Sequence, residues 1–286
     1  MRKFWNSNRK PITLEVKVLS RGKQDIVLNV LDSMKPWTVY ASRMNSTAQN
    51  RDGDWEKTFH LRLPISPQRA VIQVYNRRNG DKPEGADNTI MIKKMDELPL
   101  QTFPECFDSR NSLARRSLKF LEEFSENAAI LSANESIYLS DDKHFRIDYL
   151  DVIIDTNPDV INPNTGKTER NKFYMQELKT PSRIRHVDGC IQVAKKYFIR
   201  YPVPGRMAIL LHEIAHFYIA DDINDEITAD LEALKIYLGM GFPMLDAGKV
   251  FLEVFAGSDS PINRERTKKI LAFFDEFTKK KYKIAA

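Results

Sequence analysis

The sequence predicts an α+β protein: an antiparallel β-sandwich over residues 1–100, then a mainly helical region with a small sheet over residues 105–286. Three observations predict it. Apolar residues alternate with polar ones through the first hundred positions, the period of half-buried strands. The segment Pro99–Pro104 interrupts that pattern, and apolar residues beyond it recur at helical spacing. With 286 residues and 42% hydrophobic content, the chain can bury one large core or two modest ones.

In the first region Ile12, Leu14, Val16 and Val18 alternate with Thr13, Glu15 and Lys17. The alternation returns at Ile26/Leu28/Val30, Phe59/Leu61/Leu63 and Ala70/Ile72/Val74, with a further short strand near Thr89–Ile92. Turn chemistry separates these runs, as at Asn50-Arg51-Asp52-Gly53-Asp54 and Arg78-Asn79-Gly80-Asp81. The region carries no catalytic constellation. His60 alternates outward with Thr58 and Arg62, which makes it a solvent-facing strand residue.

From Asp108 to about Leu131, Leu113, Ser117, Phe120 and Phe124 mark one helical face, with Ala114, Leu118 and Leu121 beside it. Strands follow at Phe145–Ile154 and around Gly189–Val193, joined through an exposed loop, Asn157–Lys172, rich in Asn, Pro, Thr and Gly. The rest reads as helix. Pro204 suits the first turn of a helix running to about Tyr218. A second runs from about Asp225 to Leu238 and is closed by Gly239, Gly241 and Pro243. Val250, Phe251, Val254 and Phe255 mark a third, ending at Gly257. Ser260-Pro261 caps a last helix bearing Ile270, Phe273, Phe274 and Phe277.

Composition excludes several classes. Charged residues make up 29%, and 14 prolines and 11 glycines are spread along the chain, which does not fit low-complexity disorder. The net charge of +5 is mild, and Lys279-Lys280-Lys281-Tyr282-Lys283 reads as a solvated tail rather than a nucleic-acid contact. Cys106 and Cys190 form no CxxC, which fits a reducing compartment and neither a disulfide framework nor a four-cysteine metal site. Met1–Asn6 lacks the apolar stretch of a secretory signal, and the longest purely apolar run, Met207–Leu211, is too short to span a bilayer. These features predict a cytoplasmic protein that does not act at a membrane.

The chemistry is concentrated at His212-Glu213-Ile214-Ala215-His216. Helical residues four apart project from one face, so both imidazoles can reach a single tetrahedral zinc ion. Glu213 lies close enough to take a proton from a water activated there. A third ligand has to come from another element, and Glu226, early in the next helix, is favoured. Asp230, one turn later, can accept the free N–H of a ligating imidazole and fix its orientation. The competing assignment makes Asp230 the ligand and Glu226 a first-turn acid, with Asp221, Asp222 and Asp225 as weaker rivals. Cys190, in an apolar strand, reads as a buried small hydrophobe.

HExxH at 212–216 with Glu226-Ile227-Thr228-Ala229-Asp230 resembles the HExxH plus ExxxD pattern of the gluzincin zinc metallopeptidases. The wider stretch Thr180–Pro243 is also similar to small metallopeptidase-like proteins encoded by tailed bacteriophages. The resemblance covers roughly the C-terminal half, and the segment between His216 and Glu226 is shorter than in thermolysin-like enzymes. It implies a zincin-like domain, Zn2+ as cofactor, His212, His216 and Glu226 as ligands, Glu213 as general base and Asp230 behind a ligand histidine. It further implies that Gly189, Ile191 and Val193 belong to an edge strand pairing with extended substrate. His186, Tyr197, Tyr201 and Tyr218 are nearby candidates for oxyanion stabilisation, each better read as structural.

Two functions follow. One is a zinc metalloendopeptidase acting on a protein or peptide in a bacterial host cell. The other is a phage virion component of a ring, collar or tail connector, self-associating or bound to other virion proteins, which retains the fold without needing proteolysis. An intact Glu213 favours the enzyme.

Overall fold

The computed structural model describes residues 1–6, 10–77, 88–98, 136–138, 146–156, 159–162, 164–170, 175–185, 187–218, 225–255 and 259–284. The helix expected over Asp108–Leu131 lies outside them. The chain divides into two compact units, Met1–Ala129 with Tyr201–Ala286, and Ile130–Arg200.

The first unit opens with β1 (Arg2–Trp5), β2 (Ile12–Ser20), β3 (Asp25–Asp32), β4 (Val39–Ser46), β5 (Ala48–Gln49), β6 (Trp55–Leu63), β7 (Arg69–Asn76) and β8 (Thr89–Glu97). They form two antiparallel sheets ordered β1-β7-β3-β4 and β5-β6-β2-β8, the expected sandwich. Its core is the alternating set: Leu14, Val16, Val18, Ile26, Leu28, Val30, Leu61, Leu63, Ile72 and Val74 are all buried. The strands with clear alternation, β2, β3, β6 and β7, are the inner ones. Sequence reading passes over β1, β4 and β5 because they are edges, where one neighbour is missing and few side chains are buried. His60 is exposed, as its place on β6 predicts.

The helices of this unit are α2 (Val203–Tyr218), α3 (Glu226–Gly239), α4 (Met244–Val250) and α5 (Pro261–Ile284); α1 (Lys195–Phe198) belongs to the other unit. Residues 203–216 of α2 are buried without interruption, so this helix is central rather than amphipathic. Gly205 lets it approach α4: a Cβ there would stand 2.9 Å from Val250 Cγ2. Asp225 caps α3 by accepting from the Ile227 and Thr228 backbone N–H groups, and Gly241 leaves it with φ +88°. Ser260 caps α5 by accepting from the Asn263 N–H. The third helix differs from expectation. It is α-helical only to Val250, and Phe251–Phe255 form a π-helical turn.

The second unit contains β9 (Ser136–Tyr138), β10 (Arg146–Leu150), β11 (Ile153–Asp155), β12 (Asp159–Ile161), β13 (Thr168–Arg170), β14 (Gln176–Leu178), β15 (Ser182–Ile184) and β16 (Ile191–Ala194). The small sheet is mixed, ordered β15-β16-β10-β9, with β10 and β16 parallel. Buried Ile147 and Tyr149 on β10 match buried Ile191 and Val193 on β16. The stretch expected as a loop, Asn157–Lys172, contains a β12–β13 hairpin, with Gly166 at φ +65° in its turn.

Candidate metal centre

Helix α2 brings His212 and His216 to one face, one turn apart, and the N-terminal turn of α3 brings Glu226 up to them. The ring nitrogens His212 Nε2 and His216 Nε2 are 3.0 Å apart. Glu226 Oε2 lies 3.5 Å from His212 Nε2, and Glu226 Oε1 lies 3.5 Å from His216 Nε2. Ligands about 2.0–2.1 Å from a tetrahedral zinc are separated by roughly 3.3 Å, the dimension of this triangle. The donor set, two imidazoles and one carboxylate, suits zinc as well. Among the described residues this is the cluster able to hold a metal ion. The residues present fit the group.

The three ligand candidates differ in exposure. Both imidazoles are buried, whereas the Glu226 side chain is 39% exposed.

Asp230 sits behind the triangle. Its Oδ1 is 2.9 Å from His212 Nδ1, and its side chain is 1% exposed. A carboxylate at that distance from Nδ1 is placed to orient the ring so that Nε2 faces the ligand triangle. Burial alone would push the His212 imidazolium toward deprotonation, but Asp230 and Glu226 overcome it and raise the pKa to about 9. Glu226 responds reciprocally. Burial favours its neutral form, yet His212, His216 and Arg266 hold it well below the usual carboxylate range. The Phe251 ring, from the π-helical turn, stands at 81° to the His212 ring with centroids 6.4 Å apart, an apolar neighbour for the imidazole.

Arg266 was not singled out by sequence. It is buried in the second turn of α5 and donates through Nε and Nη2 to Asp230 at 2.7 and 2.9 Å. Its Nη1 lies 3.1 Å from Glu226 Oε2. One signal could have found it: Arg266 lies four residues before Ile270, on the stripe that continues to Phe273 and Phe277. A charge on an apolar stripe needs a buried partner.

The other candidates are dispersed. Glu213 is buried on α2 next to His212 and contributes to the field that raises the His212 pKa. Asp225 is the helix cap, while Asp221, Asp222 and His186 lie outside the described residues. The Tyr197 hydroxyl donates to Glu177 at 2.6 Å in the second unit, and the Tyr201 carbonyl accepts from Arg206 Nε at 2.9 Å. Cys190 is buried, its thiol pushed up to about 11 by burial and by Asp148, as suits an inert side chain.

The strand expected as a substrate-pairing edge is internal. Ile191 and Val193 lie on β16, hydrogen-bonded to β10 on one side and β15 on the other. Gly189 precedes it in the β15–β16 turn at φ +67°, where its N–H donates to the Arg185 carbonyl. Gly189 provides the turn that adds β15 to the sheet, and β15 takes the edge position.

Comparison with known proteins returned no matching family model, no matching curated protein and no matching solved structure. Among the described residues no helix is long and apolar enough to cross a membrane.

Proposed function

We propose that this protein is a zinc-dependent metallohydrolase of gluzincin type that cleaves peptide bonds in a protein or peptide substrate. The observation that carries the reading is the triangle of His212 Nε2, His216 Nε2 and a Glu226 carboxylate oxygen, with Asp230 bonded to the far nitrogen of His212. Zinc held by His212, His216 and Glu226 would supply Lewis acidity toward a carbonyl and lower the pKa of a bound water. His212 and His216 would hold the ion through Nε2, with Asp230 Oδ1 2.9 Å from His212 Nδ1 to orient that ring. Glu213, between the two histidines in sequence, is the group assigned to take the proton of the attacking water and pass it to the leaving amine.

The test pairs metal analysis with a proteolysis assay. Purified protein is expected to contain one zinc per chain and to cleave an unfolded protein substrate, and Glu213→Gln to retain zinc while losing cleavage. Cleavage that survives Glu213→Gln overturns the assigned base. Zinc without any cleavage, in a protein that assembles into large rings, overturns the peptidase reading in favour of an assembly component.

A further inference from the structure

Three carboxylates, Glu213, Glu226 and Asp230, act on the buried His212, and two of them, Glu213 and Asp230, are themselves buried. Such a cluster repels itself unless a cation is built into it. Arg266 enters from α5, an element that contributes no metal-ligand candidate, and its guanidinium meets two of the three carboxylates. Two of its nitrogens hold Asp230, and the third holds Glu226 Oε2. At Glu226, Oε2 is held by Arg266 and also lies 3.5 Å from His212 Nε2, while Oε1 faces His216 Nε2 at 3.5 Å. At Asp230, Oδ1 is shared between Arg266 Nη2 and His212 Nδ1, so the same guanidinium also fixes the carboxylate that orients His212.

We propose that Arg266 is a positioning residue that assembles the metal triangle before metal arrives, tying the ligand carboxylate Glu226 and the orienting carboxylate Asp230 into one rigid unit. The role depends on the planar fork of the guanidinium. A lysine ammonium is a point charge on a flexible stem and cannot hold two carboxylates at fixed mutual orientation. Arg266 acts through Glu226 and Asp230. The inference rests on the metal reading above, and its test reads metal binding, independent of proteolysis.

Zinc affinity is measured by chelator competition in the full chain for wild type, Arg266→Met and Arg266→Lys, alongside the melting temperature of each metal-free protein. The visible spectrum of the cobalt(II)-substituted forms reports coordination geometry. Arg266→Met is expected to weaken zinc about 10–100-fold, the range for residues that support a ligand. Arg266→Lys, which keeps the charge and so protects folding, is expected to weaken zinc measurably and to change the cobalt spectrum. If Arg266→Met does not fold, Arg266→Lys decides. Wild-type zinc affinity and an unchanged cobalt spectrum in Arg266→Lys would overturn the proposal, and a lowered melting temperature with unchanged affinity would reduce Arg266 to a packing role. A wild-type chain that binds no zinc overturns the metal reading itself, a result distinct from either variant's.

Discussion

His212 is engaged on both ring nitrogens: Asp230 at Nδ1, and His216 with Glu226 around Nε2. In the metal-free protein its pKa of about 9 lies above the ordinary value near 6.5, because the two carboxylates outweigh burial. A raised folded-state value means that the charged imidazole contributes stability fully below about pH 6.5 and loses it as pH rises through 9. The metal-free protein is therefore expected to melt progressively lower from pH 6.5 to 9, and saturating zinc, which requires the neutral imidazole, to flatten that slope. An NMR titration of the metal-free protein checks the origin: a His212 midpoint at or below 6.5 would contradict it. The ranking of carboxylates is a second prediction at this scale. Glu226→Ala is expected to weaken zinc more than Asp230→Ala, because loss of a ligand exceeds the roughly 10–100-fold cost of losing its support. The reverse order, measured by chelator competition, would transfer the ligand role to Asp230.

Elements explain why part of the site was legible and part was not. HExxH is a local pattern, and a helix converts four-residue spacing into proximity whatever surrounds it, so His212 and His216 could be placed from sequence alone. The start of α3 near Asp225 was legible as a helix boundary, and the structure adds that Asp225 caps it by accepting from the Ile227 and Thr228 N–H groups. The Arg266 contact spans 36 residues from Asp230, and only the packing of α5 against α3 brings it in. The pairing of β16 on both sides likewise depends on β15 folding back through Gly189, which alternation within β16 cannot report. The π-helical turn escapes because Phe251, Val254 and Phe255 fit an α-helical stripe equally well. The approach of α2 to α4 gives a prediction here. Gly205→Ala would force a methyl to within 2.9 Å of Val250 Cγ2 and 3.3 Å of Tyr201 Cβ, and is expected to cost roughly 1–3 kcal/mol in denaturant unfolding. Unchanged stability would mean that α4 can retreat without loss.

At the level of the whole molecule, the sandwich contributes no metal-ligand candidate among the described residues, yet it braces the helices that do. Arg43 on β4 makes a two-pronged bond to Asp246 on α4, both contacts 2.8 Å, with side chains only 14% and 12% exposed. Leu98, just past β8, packs beside Gly241 at the α3–α4 turn, where a Cβ would stand 3.4 Å from its Cδ2. α4 in turn packs on α2, the helix of both histidines. Arg43→Met leaves Asp246 without its strongest partner and is expected to cost about 1–3 kcal/mol. Zinc affinity should not change, because neither residue touches the triangle. The sequence boundary near Pro99–Pro104 invites a stronger test, a chain restricted to residues 105–286. All proposed ligands lie after position 211, so this shorter chain is expected to bind zinc, but at a melting temperature below that of the full chain because Asp246 and the Gly241 turn are uncovered. Equal melting temperatures would show that the sandwich is an independent module attached for interaction alone. A soluble product that binds no zinc would show that sandwich and helices share one cooperative core, with the metal site as its dependent part.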